Sequence, residues 1–392
     1  MRGHIRQRYT GTFSIVINLG TDPKTGRRRQ QWVTVKGSKK DAEKRLAELL
    51  HQLDTGTFIK PSKITTAEYL ERWLKDYVQP NLSPRTAEGY ASIINRHLVP
   101  GLGKILLTQL RPEHIQKYLS EKLSKGRWDG KGGLNPRTVS HHHTALHRAL
   151  KIAVKWGLIP RNPADVIEPP RCQRNEVQTM DEDGVSTFME AAKSSRYYPL
   201  FYLALYTGMR RSELLALHWS DVDFLYCQVS VNRSLHRLRD GSIVFRSPKT
   251  IRARRSIALT PSTVLVLKEH QKQQETGRLL LCSTLDDNDL VFSEPDGRPW
   301  LPDTVSHAWM KLAKRLGMGH ISLHDARHTH ASLMLKEGIH PKIVQERLGH
   351  ASIQTTLDIY SHVAPGLQEA AAVRFDEIFT RDTRNKATEN VG

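Results

Sequence analysis

The segment IPRNPADVIEPPRCQRNEVQTM, residues 159–180, limits the architecture more than any other stretch of the chain. It holds four prolines and three arginines. Each proline removes a backbone donor and pushes the residue before it out of the helical region, so no helix or central strand can run through. With 392 residues the chain is long enough for two or three domains. One of them must end here, and we place the linker at residues 166–180.

Upstream, two kinds of pattern follow one another. FSIVINLG and QWVTVKG are β-branched runs on either side of TDPKTGRRR, which reads as strand, turn and strand. SKKDAEKRLAELLHQLDTG then reads as a helix, with Ser38 as cap, a stripe of Leu46, Leu49 and Leu50, and Gly56 as terminator. This first unit, residues 1–60, carries 13 Lys and Arg against 5 Asp and Glu, and a sheet so small and so basic is expected to lie against DNA. Residues 61–165 are helical throughout, in TAEYLERWLKDYV, SPRTAEGYASIINRHLVPGLG, RPEHIQKYLSEKL and NPRTVSHHHTALHRALKIAVKWGL. Ser83-Pro84 and Asn135-Pro136 are sound helix starts, a polar cap followed by proline in the first turn. The run His141–His143 cannot form a metal site, because consecutive helical residues point in different directions. Beyond the linker, residues 181–380 predict helices around a strand-rich patch at about 227–259. The polar tail at 381–392 is expected to be disordered.

Charge narrows the partner. The chain has 59 Lys and Arg against 40 Asp and Glu, a net +19, which calls for a polyanion. No basic amphipathic helix with a bulky apolar face favours a membrane surface, and no run of about 18 apolar residues could span a bilayer. At 7% aromatic residues the chain is a poor match for a single-strand binder built on stacked bases, leaving duplex DNA or structured RNA. The three cysteines, Cys172, Cys227 and Cys282, are too sparse for a disulfide framework and fit a reducing cytoplasm.

Four stretches carry chemistry. In LYTGMRRSELLALHW, Thr207 or Gly208 can start a helix, which puts Arg210 in its first turn with Glu213 three residues on. In VFRSPKTIRARRSIALT, Lys249 lies between two strand-like runs, in or near a hairpin, where it could reach a phosphate or donate a proton; Arg246, Arg252, Arg254 and Arg255 read as solvated cations. In SLHDARHTHASLMLKEG, Ser322 can cap a helix that puts His324 and Arg327 on one face. His324 and His328 also parallel the zinc-protease pattern H-E-x-x-H, but Asp325 stands where that pattern has Glu and no third ligand is evident, so no metal is expected. In HPKIVQERLGHASIQTTLDIYSH, a helix from Pro341 closes at Gly349, His350 follows, and Ser352 can cap a second helix carrying Tyr360. Ile353, Leu357 and Tyr360 share a helical face, so a packing role for Tyr360 is the plain alternative.

Together these residues suit phosphoryl transfer. Arginine forks complement the oxygens of a phosphorane-like state, histidines hydrogen-bond them and move protons, and a tyrosine oxygen can hold the phosphoryl group covalently. The ordered set TGMRRSELLAL, SPKT, LHDARH, LGH and TLDIYSHV resembles the tyrosine recombinases, the phage-type integrases. HLVPGLGKILLTQLRPEHIQKYL and ALHRALKIAVKWGLIPRNPADVI are similar to that family's core-binding domain, and residues 1–60 to its arm-binding domain.

The resemblance implies a multidomain, mainly α fold with small β-sheets: an N-terminal three-stranded sheet plus helix, a helical core-binding domain, and a mixed α+β catalytic domain. It implies Arg210 and Arg327 on the scissile phosphate, His324 and His350 on its oxygens, Lys249 as proton donor to the leaving 5′-hydroxyl, Glu213 as support and Tyr360 as nucleophile. It further implies a 3′-phosphotyrosyl intermediate and a Holliday junction, no metal, ATP or other cofactor, core and arm attachment sites on double-stranded DNA, a homo-tetramer on DNA that is a monomer when free, and excisionase and DNA-bending accessory proteins. The apolar stripe of PGLQEAAAVRFDEIF would pack on a neighbouring protomer. The same residue set would serve a type IB topoisomerase; two DNA-binding domains ahead of the catalytic one favour recombination. A DNA-binding relic would have no reason to keep all six residues.

Overall fold

Three antiparallel strands, β1 (Gly3–Tyr9), β2 (Thr12–Thr21) and β3 (Arg28–Lys36), pair in sequence order at the N-terminus. Alternation along β2 turns Ile15 and Ile17 to one face, where Leu46, Leu49 and Leu50 of α1 (Lys39–Asp54) cover them. Ser38 caps α1, its Oγ accepting from the Asp41 N–H at 3.3 Å. The register sets His4 and Trp32 on either side of Val16, and Arg6 and Thr34 on either side of Ser14. The face opposite α1 buries Ser14 and Val16 at its centre and carries Arg6 and Arg8 at its edge, the Arg8 guanidinium lying 6.0 Å from the centre of the half-exposed Trp32 ring. This is a computed structural model, and it describes residues 3–21, 26, 28–54, 63–127, 130–173, 178–247, 254–282, 284–286, 288–363, 372–373 and 375–376.

The chain divides into two compact units, Met1–Gln173 and Arg174–Gly392. After α1 the first unit is all helical. A Thr65/Glu68 capping box opens α2 (Thr66–Trp73), which passes through a wide π-type turn at Leu74–Val78 into α3 (Gln79–Asn81). Ser83 caps α4 (Pro84–Ile93), and a second wide turn leads to α5 (Val99–Leu102). Then come α6 (Pro112–Lys125) and α7 (Pro136–Lys155), the latter capped by Asn135. Tyr69, Leu70, Trp73, Ile94, Leu98, Ile115, Leu146 and Leu150 form one core. The consecutive histidines of α7 diverge: His142 meets Tyr118 Oη at 3.1 Å, while His143 Nε2 lies 3.4 Å from Ala164 O.

The second unit is built around α9 (Tyr198–Thr207), whose Leu200, Phe201, Leu203 and Ala204 are all buried, as expected of a helix apolar on every side. Before it comes α8 (Glu182–Ala192), and after it the single turn α10 (Arg211–Leu214). Five short strands follow: β4 (Val222–Asp223), β5 (Gln228–Val231), β6 (Ser234–Arg237), β7 (Ile243–Arg246) and β8 (Arg255–Ala258). Helices α11 (Pro261–Leu279), α12 (Pro302–Arg315), α13 (Asp325–Lys336), α14 (Pro341–Leu348) and α15 (Ile353–Val363) complete it. Phe188 and Trp309, ring centres 4.2 Å apart, anchor the core between α8, α9 and α12.

Two local expectations need correction. Gly208 ends α9 in the left-handed conformation (φ 65°) instead of starting a helix, and Arg210 is the residue that caps the next turn. His324, not Ser322, is the cap of α13; the Ser322 N–H and hydroxyl instead both donate to the Asp325 carboxylate, at 2.8 and 2.6 Å. The strands flanking Lys249 do not pair with each other: β7 pairs with β6, and β8 with β5. Strand pairing is decided by which side chains reach the core, here Ile257 of β8 beside Val229 of β5, and local sequence does not encode that choice.

Candidate active site

The site gathers at the C-terminal end of α14. Helix ends leave carbonyls without intrahelical partners, and here three consecutive ones each take a guanidinium. Arg255 Nε donates to Arg347 O at 2.7 Å, Arg327 Nη2 to Leu348 O at 2.6 Å, and Arg210 Nη2 to Gly349 O at 3.3 Å. Gly349 makes this possible by turning the chain through φ 66°, which a side chain rarely tolerates. His350 follows at once.

Arg210 is braced from its own turn. Glu213 Oε1 accepts from its Nη1 at 2.7 Å and Oε2 from its backbone N–H at 3.0 Å. The side chain of Arg210 remains 36% exposed, open to a ligand, whereas Glu213 is 7% exposed. Arg327 is buried, its Nη1 donating to Gly208 O at 2.9 Å. Burial and the nearby Arg210 charge pull its pKa down to about 9, which still leaves it cationic at neutral pH.

Both histidines are held neutral. Burial, then the Arg327 and Arg210 charges, pull His350 down to about 3. Its Nδ1 lies 2.9 Å from Thr356 Oγ1, which leaves Nε2 as the ring nitrogen on the other side. Burial and Arg327 lower His324 as well, and its ring meets His328 edge-on at 5.1 Å. The His350–Thr356 contact ties α15 to the site, and α15 packs on α13 and α14. Tyr360 lies on the same helix, four residues beyond Thr356.

The described structure thus assembles Arg210, Glu213, Arg327 and His350 around one turn, with His324 at the start of α13 in reach of the same charges. Lys249 lies outside the described residues, as do the 381–392 tail and most of the apolar segment before it. Among the described residues no group of three His, Cys, Asp or Glu could hold a metal ion.

Sequence reasoning missed Arg255, which is a buried member of the cluster and not a solvated cation: its side chain is 6% exposed and its Nη2 lies 2.9 Å from Glu213 Oε2. The signal was present, since Arg255 is two residues from Ile257 on one strand and so shares its inward face. It also missed the bracing of Arg347, whose Nε donates to His330 Nε2 at 3.1 Å and Nη2 to Tyr206 O at 3.1 Å.

Comparison with known proteins decides the family. The Phage integrase family matches residues 178–366, and the Phage integrase N-terminal SAM-like domain matches residues 65–123. The chain belongs to the phage integrase family, the tyrosine recombinases. A tyrosine recombinase XerC-like protein of Caldanaerobacter subterraneus subsp. tengcongensis is 25% identical over 385 residues, covering 94% of this chain and 96% of that protein. The Tn1549 transposon integrase, solved with a circular intermediate DNA, superposes with a TM-score of 0.67 at 19% identity over 80% of this chain and 99% of its own. A lambda integrase tetramer bound to a Holliday junction gives 0.53 at 20% identity over 89% and 95%. These likenesses establish the multidomain, α-rich fold, and the activity of this integrase is that of a site-specific DNA recombinase, a DNA strand transferase.

Proposed function

We propose that the chain cuts and rejoins duplex DNA at attachment sites of a mobile element or prophage, using Tyr360 as nucleophile. One observation carries this reading. Two arginines and a neutral histidine converge on the turn after α14, and Thr356 fastens to that histidine the helix on which Tyr360 lies.

The roles follow from charge and proton balance. Arg210 and Arg327 hold the non-bridging oxygens of the scissile phosphate and meet the charge that builds there. His350 accepts from the Thr356 hydroxyl at Nδ1 and donates through Nε2 to one of the same oxygens. Tyr360 Oη attacks phosphorus, its proton passing to neutral His324, and the P–O5′ bond breaks. Lys249 gives its proton to the departing 5′-oxygen. The 3′-phosphotyrosyl ester keeps the bond energy, so a 5′-hydroxyl from a partner duplex can reverse the step without ATP or metal.

Three features support the wider assignment. The basic residues on the face of the N-terminal sheet opposite α1, Arg6, Arg8 and Lys36, suit an arm-site contact in the domain at 1–60. The helical domain at 61–165 would grip the core site, and the catalytic domain at 181–380 would act on it. Four copies on a Holliday junction, as in the lambda structure, would make both exchanges, with an excisionase and a DNA-bending protein setting direction. No helix among the described residues is long and apolar enough to cross a membrane, in keeping with a protein that acts on bacterial DNA in the cytoplasm.

The test is a covalent trap. A nicked attachment-site duplex, incubated with the protein in EDTA, lets the 5′ fragment diffuse away after cleavage. A protein–DNA adduct on a denaturing gel is expected with the wild type and not with Tyr360→Phe. A site that is bound but never yields an adduct would overturn the proposal.

A further inference from the structure

The proposed chemistry leaves a buried cation of the site unused, and the role inferred for that cation rests on that chemistry. All three nitrogens of the Arg255 fork are already committed within the protein. Nε donates to Arg347 O at 2.7 Å, Nη2 to Glu213 Oε2 at 2.9 Å, and Nη1 to Glu213 Oε1 at 3.3 Å. The contact is tight on the other side as well: a Cβ placed on Gly349 would lie 3.1 Å from Arg255 Cδ and Nη1.

Glu213 is therefore a carboxylate shared by two guanidiniums. Burial alone would push its carboxyl up, but the Arg255 hydrogen bond and charge, followed by Arg210, outweigh burial and hold it below the usual range. A buried carboxylate has to be compensated. With Arg255 in place, half of that compensation comes from a side chain that never leaves the interior, and Arg210 keeps charge to spare for a phosphate. Without Arg255, Glu213 has Arg210 as its counter-ion, and a closed one-to-one pair would draw Arg210 off the phosphate.

We propose that Arg255 is a positioning residue for strand cleavage, sharing Glu213 with Arg210 so that Arg210 stays available to the scissile phosphate. Its Nε, seated on Arg347 O, also fixes the turn that presents Gly349 and His350 to the site. In this role Arg255 acts through Glu213.

This predicts a suppressor relation that a purely structural role would not produce. The full-length protein is assayed at saturating concentration on the nicked attachment-site duplex, and the single-turnover rate of adduct formation is read. Arg255→Met is expected to slow cleavage about 100-fold, the order seen when a preorganised charge stabiliser is lost, with DNA affinity little changed. Adding Glu213→Gln removes the uncompensated carboxylate and is expected to return about tenfold of that loss, a coupling of ordinary size between groups in contact. Arg255→Lys, which keeps the charge, is expected to cleave faster than Arg255→Met. If Arg255→Met does not fold, as judged by its melting curve, Arg255→Gln takes its place in the same comparisons. Cleavage by Arg255→Met near the wild-type rate overturns the proposal, as does a double variant no faster than the single one. Failure of the wild type to form a Tyr360-dependent adduct is a separate result that overturns the underlying chemistry, whatever the Arg255 variants do.

Discussion

Replacing Gly208 by alanine tests whether the site depends on close backbone approach. Gly208 sits at φ 65° and ψ 18°, the left-handed region, where an L side chain costs about 1–2 kcal/mol. A Cβ there would also lie 2.4 Å from Leu348 Cδ2 and 2.9 Å from His330 Cδ2. Neither neighbour can yield cheaply. Leu348 is fully buried, and the His330 ring is held between Leu205 O at Nδ1 and Arg347 Nε at Nε2. Overpacking of this kind costs about 1–3 kcal/mol, so the total is about 2–5 kcal/mol. Gly317→Ala is the control: its φ is 76°, but nothing lies within 4 Å of the added carbon, so only the backbone cost applies. For a unit of this size about 1 kcal/mol moves the melting point by ~2–4 °C, so Gly208→Ala should melt about 2–12 °C below Gly317→Ala. Calorimetry of the full chain reads this from the transition of the second unit. Because Gly208 O accepts from Arg327, Gly208→Ala should also slow cleavage more than the control. Equal melting points for the two variants would refute the packing argument.

Three further outcomes are expected. Glu213 has a depressed folded-state pKa, so its ion pairs stabilise the protein above the unfolded value of about 4.3 and are lost as pH falls through the lower folded value; the melting-point gap between wild type and Glu213→Gln should shrink below about pH 4, and a gap constant from pH 7 to 3 would contradict the pairing. His350, pulled down to about 3, should remain neutral from pH 5 to 8; an imidazolium signal assigned to it at pH 6 in nitrogen-15 spectra would show that the ring is more solvated than its burial implies. A chain with net charge +19 that makes about 6–10 phosphate contacts should bind its site with a log–log salt slope of about −5 to −9, and a slope shallower than about −3 would remove the basic surface from the interface.

Much of this architecture is carried by local signals. The capped helices at Ser38, Ser83 and Asn135, the last two started by proline, form where polar cap and apolar stripe coincide, because both act within one turn of the chain. Strands β2 and β3 were legible from their β-branched runs for the same reason, whereas β1 was expected only from the family resemblance. Arg210, Glu213, Arg327 and His350, which the structure brings together, could be singled out from residue type and order, since phosphoryl transfer asks for few kinds of side chain, and Tyr360 is proposed on the same ground.

Pairing and burial were a different matter. Which strand accompanies β8 depends on Ile257 finding the core beside Val229, with two strands between them in sequence. The roles of Gly208 and Arg255 were settled the same way. Gly208 reads as a helix start until Leu348 and His330, more than a hundred residues on, are packed against it. Arg255 reads as one of four neighbouring cations until Glu213 and the end of α14 enclose it. Sequence by itself determined the chemistry available to this protein, because local propensity and functional-group type are properties of short stretches. Only the tertiary structure decided which of those groups face one another, because desolvation and charge sharing arise between segments the chain holds far apart.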